Sequence, residues 1–385
     1  QIIVAERLQR KALGQWTSTS TVSASRGTIY DATGEALAIS GASKTLNVKP
    51  KTLSNSGYSS ESIATMLVQL LGEKYSYETI FKKVNYVKGT SLGEYTIARH
   101  LNDEQIAYIE ALNIKGLYLV DDVKRYYPKG SSLIQVLGSV NIDGVGSDGL
   151  ELKYDKQLRG LTGKLISSTN VSGGQIPGSD QRYIDATNGV NLNLTVDYAM
   201  QSFAENIMRT CLTETNAKAV RCIIMEPKTG AIKAMVNLPD YDPNTATAED
   251  IKSYSRNSCV LDTYEPGSTF KIFTMSAALE SGAINESTTF HCSGYHIVDG
   301  EKIKCWRTVP HGTQSITQAL QNSCNPAFMQ MGLKVGQENL YSYLYNFGFN
   351  GTTGVDFSAD QSGIILAPKY VKNTDLARIS FGFKS

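Results

Sequence analysis

Apolar and polar positions alternate in several distinct rhythms along this 385-residue chain. In the first twenty positions Leu8, Leu13 and Trp16 stand among polar residues, which predicts a short juxtamembrane helix. From about 25 to 50, brief alternating runs such as Thr28-Ile29-Tyr30 and Leu46-Asn47-Val48, punctuated by Gly34 and Gly41, predict strands. Helical spacing takes over at 60–85, where Ile63, Met66, Leu67, Leu70 and Leu71 recur three and four apart, and again at 102–113. Between 140 and 190 the chain is rich in Gly and Ser (Val171-Ser172-Gly173-Gly174, Pro177-Gly178-Ser179), as loops and a domain junction are. Beyond 190 the pattern predicts a strand at 192–196, a helix at 197–208 and a strand at 219–225. A turn at Pro227-Lys228-Thr229-Gly230 then leads to a strand at 231–236 and closes an antiparallel hairpin. A last helical run covers 269–280 and stops at Gly282.

Length favours two domains. Composition narrows the field mainly by exclusion. Basic residues number 37 against 36 acidic, so there is no electrostatic footprint of a nucleic-acid binder. No run of about 18 apolar residues could cross a membrane, although Gln1-Ile2-Ile3-Val4 resembles the tail of a removed anchor.

The chemistry concentrates at Tyr264-Glu265-Pro266-Gly267-Ser268-Thr269-Phe270-Lys271. One hydroxyl and one ammonium stand three residues apart at the head of a helix whose other members are apolar nearly all round, which predicts burial. A lysine desolvated there loses charge and can accept a proton from serine. Taken alone, S-x-x-K recurs by chance in most chains of this length. A second polar trio follows about fifty residues later, at Ser323-Cys324-Asn325; its bland reading is a helix cap beside a loop asparagine.

Together these motifs match the S-x-x-K and S-x-N elements of penicillin-recognising enzymes, and others agree in order. Residues Arg26-Gly27-Thr28-Ile29-Tyr30-Asp31 through Gly34 and Leu37-Ala38 resemble the opening signature of class B penicillin-binding proteins. Arg125-Tyr126-Tyr127-Pro128 and Gly149-Leu150-Glu151 through Tyr154-Asp155 resemble two further elements of the same family. Asn193 to Asp197, with Gln201 and Glu205 behind it, resembles the start of its transpeptidase domain. The wording is most similar to clostridial, sporulation-type members. The resemblance implies an α+β protein: an elongated N-terminal pedestal over 1–188, and a transpeptidase domain over 189–385 whose antiparallel sheet has helices on both sides. It implies a D,D-transpeptidase in which Ser268 is acylated by the D-Ala-D-Ala stem peptide of peptidoglycan or by β-lactam antibiotics, with Lys271 as base. Ser323 would relay protons, and Asn325 would hold the amine and the substrate amide. A single-pass N-terminal anchor absent from this chain would place the protein on the extracytoplasmic face of the membrane, beside a cell-wall glycosyltransferase partner. The rival classes are a β-lactam sensor or β-lactamase, against which the pedestal motifs count, and a non-catalytic scaffold.

The family's third motif, K-T-G, should follow Asn325. Lys228-Thr229-Gly230 precedes Ser268 and reads as a turn. The chain ends at Ser380-Phe381-Gly382-Phe383-Lys384-Ser385, where the family has Gln after S-F-G. Without the strand bearing K-T-G, an oxyanion donor and the anchor for the substrate carboxylate are missing. Losing one such donor costs about 10²–10³ in rate, so the polypeptide as it stands is expected to be a poor enzyme.

Catalysis of this kind requires no cofactor, but six cysteines call for explanation. Cys292, Cys305 and His311 form a soft S,S,N set that suits structural zinc, as some clostridial relatives are similar in carrying, with Asp262 or His291 as the fourth ligand. A Cys292–Cys305 disulfide and free buried thiols are the alternatives.

Overall fold

A computed structural model describes residues 17–22, 24–72, 74–89, 93–168 and 182–383. Two compact units divide the chain, 1–259 and 260–385. Most of the predicted helix near the N-terminus, and the Gly/Ser stretches at 171–174 and 177–179, lie outside the described residues. Positions 17–22 are extended, not helical: β1 (Thr17–Val22) pairs antiparallel with β6 (Gly163–Ser168), and β7 (Arg182–Ile184) flanks β6.

In the first unit β2 (Ile29–Tyr30) and the thirteen-residue β3 (Ala36–Val48) begin the main sheet. Helices α1 (Ser60–Leu71) and α2 (Tyr77–Val84) divide the predicted 60–85 run in two. The break falls at Gly72, whose φ of +79° favours glycine. Ser59 and Ser76 cap these helices by accepting the N–H groups of Ser62 and Thr79. Strand β4 (Tyr95–Ala98), helix α3 (Asp103–Leu112) and strand β5 (Leu117–Tyr126) follow. Strand β3 pairs antiparallel with β5 from Ile39↔Tyr126 to Val48↔Leu117, and β8 (Leu192–Asn193) lies parallel to β2. Leu46, Val48, Ile63, Leu67, Ile80, Val84 and Ile97 form the core between sheet and helices. The sequence pattern predicts loops at 140–190, yet helical turns occupy Gly149–Lys153 and Asp155–Arg159.

Those turns carry the carboxylates that draw three distant motifs together. Glu151, with no exposed surface, accepts from Arg26 Nε at 2.6 Å and Arg125 Nε at 2.7 Å, while Arg26 Nη1 reaches Asp155 at 2.7 Å. Breaking such a buried cluster strands its remaining charges. Asp31 ties the same segment to α4 (Tyr198–Thr215) by accepting the N–H of Tyr198 at 3.0 Å. Helix α4 covers the hairpin of β9 (Val220–Met225) and β10 (Ile232–Leu238). Gln201 lies fully buried on that helix and exchanges two hydrogen bonds with the Met235 backbone. Lys228-Thr229-Gly230 occupies the hairpin turn, with Gly230 at φ +75°.

The second unit is built around two helices, α5 (Lys271–Glu280) and α7 (Asn325–Val335). Strand β11 (Thr289–Cys292) pairs with β14 (Gly312–Ser315), and β12 (Tyr295–Val298) with β13 (Glu301–Lys304). Helices α6 (Ile316–Gln321), α8 (Gln337–Asn346) and α9 (Asn373–Ile379) complete it. Helix α5 differs from the expected all-round burial. Lys271, Thr274, Ala277 and Ala278 form its buried stripe, whereas Ile272 and Leu279 are exposed.

Candidate active site

The chain enters the site through a 3₁₀ turn, Gly267–Phe270, rather than the predicted α-helical start. This matters chemically, because a 3₁₀ turn eclipses residues i and i+3 and stacks Ser268 against Lys271. Gly267 sits at φ +57° and donates its N–H to Gly382 O at 3.0 Å. A Cβ on Gly382 would meet Gly267 O at 2.0 Å, so only glycine permits that approach. Thr274 Oγ1 donates to Ser380 O at 2.8 Å, and Phe270, Phe273 and Phe349 pack ring against ring. The segment 380–382 thus buttresses the serine turn.

Ser323 and Asn325 reach the same point from the turn between α6 and α7. Ser323 adopts φ +47°, a left-handed conformation costly for a residue with a Cβ. That kink presents both its carbonyl and its hydroxyl to Lys271. Lys271 Nζ lies 2.7 Å from Ser323 O, 2.7 Å from Asn325 Oδ1, 2.9 Å from Ser323 Oγ and 3.2 Å from Ser268 Oγ. Two of these neighbours, the carbonyl and amide oxygens, can only accept. They take two N–H groups and leave a neutral amine's lone pair for a hydroxyl.

Desolvation shifts the balance toward that neutral form. Lys271 is 1 % exposed, the ring of fully buried Phe328 lies 5.5 Å from Nζ, and no carboxylate among the described residues pairs with it. Burial lowers its pKa to about 8, against a smaller upward push from charge on Cys305 and Cys324. Ser268, Ser323 and Asn325 therefore converge on the Lys271 amine, which brings together the four residues singled out in the sequence. A cavity of about 280 Å³ opens beside Ser268 and Asn325, with Ile303, Lys304, Arg378 and Phe381 also lining it.

A second cluster adjoins this one. Cys292, Cys305, His311 and Cys324 bring their donor atoms within 4.8 Å of one another. His311 Nδ1 lies 3.6 Å from Cys292 Sγ and 3.7 Å from Cys305 Sγ. Tetrahedral zinc with ordinary Zn–N and Zn–S bonds has a donor–donor edge of about 3.6 Å, so the set fits. Burial raises the Cys292 thiol, but the N–H groups of His311 and Gly294 and the neighbouring thiols outweigh it and bring it below its usual value. Burial pushes Cys324 up to about 12 and lowers His311, which keeps that imidazole neutral and ready to ligate. Asp262 and His291 are not in the group. His291 bonds Thr313 Oγ1 instead, and the fourth member of the group is Cys324. The signal available in the sequence was a third thiol between two active-site residues; it reads equally well as packing.

Residues 21–194 match the penicillin-binding protein dimerisation domain, and residues 220–384 match the penicillin-binding protein transpeptidase domain. The chain belongs to the class B penicillin-binding proteins. It is 34 % identical to Stage V sporulation protein D of Bacillus subtilis over 99 % of its own length and 58 % of that protein. Peptidoglycan D,D-transpeptidase FtsI of Escherichia coli K12 is 27 % identical, with 63 % of its length covered. The chain therefore spans less than two thirds of these relatives. Among solved structures, a Helicobacter pylori penicillin-binding protein in complex with MreC superposes over 95 % of this chain at TM-score 0.76 and 20 % identity, with 74 % of the other chain covered. Penicillin Binding Protein 2X of Streptococcus thermophilus does so at 0.69 and 23 %, with 56 % covered. The two-domain fold is that of the family. No helix among the described residues is long and apolar enough to cross a membrane.

Proposed function

We propose that the protein is a peptidoglycan D,D-transpeptidase that works through an acyl-enzyme on Ser268. The observation that carries this reading is the buried Lys271 amine, in reach of two hydroxyls and held by Ser323 O and Asn325 Oδ1. Ser268 Oγ attacks the carbonyl between the two D-alanines of a stem peptide, and its proton passes to Lys271 Nζ as the C–O bond forms. The proton then moves by way of Ser323 Oγ to the departing nitrogen as the C–N bond breaks. An amine from a neighbouring strand attacks the acyl carbonyl and releases Ser268. A β-lactam presents the same amide in a ring, so its leaving group stays tethered and the adduct persists. Asn325 Oδ1, by accepting from Lys271, stabilises the transient ammonium.

The division into a pedestal over 1–188 and a transpeptidase domain over 189–385 belongs to this reading. So does an extracytoplasmic location, where peptidoglycan lies, alongside a cell-wall glycosyltransferase. Cys292, Cys305, His311 and Cys324 would hold zinc. When bound, the metal would tie the end of β11 and the segment between β13 and β14 to the start of α7 and so position Ser323; the proton transfers need only protein side chains.

Intact mass after incubation with a labelled penicillin tests the reading. The natural full-length protein should gain one stoichiometric adduct that Ser268→Ala abolishes. Steady turnover of nitrocefin would indicate a β-lactamase instead, and absence of any adduct a scaffold.

A further inference from the structure

Ser323 holds a left-handed φ of +47°, so contacts outside the residue must keep it there. The residue before it is gripped from two sides. Asn322 Nδ2 donates to Gln314 Oε1 at 2.8 Å, and Asn322 O accepts from Trp306 Nε1 at 3.1 Å. Gln314 stands on β14 just before α6, and Asn322 follows α6, so their bond ties together the two ends of that helix. Trp306 comes from the segment between β13 and β14. Taken singly, an asparagine after a helix is an ordinary cap, and an indole on a loop is ordinary surface. Here the partners differ in placement. Gln314 is 3 % exposed, and its Nε2 lies near the Cys324 thiol but completes no hydrogen bond. An apolar side chain of that size would fill the space at less cost, so the contact with Asn322 is what the amide supplies. Trp306 is 63 % exposed and contributes little by burial; its one polar atom serves the Asn322 carbonyl.

We propose that Gln314 and Trp306 are positioning residues: by holding Asn322 they fix the kink at Ser323 and aim its hydroxyl for the proton relay. This rests on the transpeptidase reading and adds residues to it. Ser323 Oγ lies 2.9 Å from Lys271 Nζ, and it must pass a proton onward to the nitrogen that departs as the C–N bond breaks. A hydroxyl on a loosened turn still reaches the lysine part of the time, but delivers that proton more slowly. Proton removal from Ser268 depends less on the turn, because Asn325 Oδ1, on α7, keeps its own 2.7 Å hold on Lys271. The two hydrogen bonds therefore matter most where the leaving atom needs a proton. An amide or β-lactam nitrogen does. A thiolate leaves with the C–S electron pair and needs none.

Second-order acylation of the natural full-length protein by a labelled penicillin and by a D-alanyl thioester compares the two cases. The variants are Gln314→Met, Trp306→Phe and Ser323→Ala, and each of the first two combined with Ser323→Ala. With the penicillin, Gln314→Met is expected to be slowed about tenfold and the solvent-exposed Trp306→Phe about threefold, the range for one hydrogen bond. The thioester rate should fall by no more than about twofold in either. Neither substitution should slow the penicillin reaction further once Ser323 is replaced by alanine, since both act through its hydroxyl. Equal losses with both substrates, losses that add to that of Ser323→Ala, or no loss at all would overturn the assignment. Should Gln314→Met fail to fold, Trp306→Phe, which keeps a ring and lies at the surface, decides by the same outcomes. An unchanged ratio of penicillin to thioester rates in Ser323→Ala would refute the relay and the clamp together. If the unaltered protein forms no adduct with either reagent, the nucleophilic role of Ser268 fails first, and the positioning falls with it.

Discussion

Acylation of Ser268 should accelerate about tenfold between pH 7 and pH 9, with a midpoint near 8. The perturbation is protonation of Lys271, whose pKa burial brings from 10.5 to about 8. A base must be neutral, so the rate follows the unprotonated fraction. With that midpoint the fraction is about one tenth at pH 7, one half at pH 8 and nine tenths at pH 9. The sign is set by desolvation: the folded site holds its proton less tightly than the unfolded chain. Activity therefore climbs with pH, and Lys271 adds its share of stability between about pH 8 and 10.5. An unperturbed lysine would behave differently, its neutral fraction rising about a hundredfold over the same interval and continuing to rise past pH 10. The assay is the second-order rate of fluorescent penicillin labelling, corrected for hydrolysis of the reagent, on the natural full-length protein and on Lys271→Met. A rate flat across this range, a midpoint above 10, or an unchanged profile in Lys271→Met would refute the assignment of Lys271 as the base.

Elsewhere in the molecule two side-chain clusters make equally definite demands. Purified protein should contain about one equivalent of zinc by elemental analysis, reduced at least tenfold in Cys324→Ser and retained in Asp262→Ala, because the donor group includes the former and excludes the latter. Glu151→Ala leaves Arg26 and Arg125 buried without their shared partner. It should cost about 3–5 kcal/mol and lower the melting temperature by roughly 10 °C, seen by circular dichroism.

Much of the fold could be read in advance because local periodicity survives into the tertiary structure. The hairpin of β9 and β10, the helix from Tyr198 and the strands around Ile29 and Leu46 lie where alternation or helical spacing places them. Helix α5 misled because an apolar sequence does not reveal which residues a neighbour covers; Ile272 remains 60 % exposed. The turns at 149–159 were hidden for a different reason. Their stability comes from Arg26 and Arg125, more than twenty residues away in the chain, and not from propensity.

The sequence by itself determined the inventory: a serine and a lysine three apart, a second serine and an asparagine two apart, and the order in which the family motifs appear. Those are properties of covalent neighbours and need no packing to be seen. Only the tertiary structure decided the proximity of groups distant along the chain. It set Lys271 Nζ 2.7 Å from Asn325 Oδ1, placed Cys324 rather than Asp262 beside Cys292, Cys305 and His311, and closed Gly382 onto Gly267. It also turned Lys304 and Arg378 toward one cavity. Both the depressed basicity of the lysine and the donor set for a metal depend on burial and on distances through space, which arise only when the helices pack.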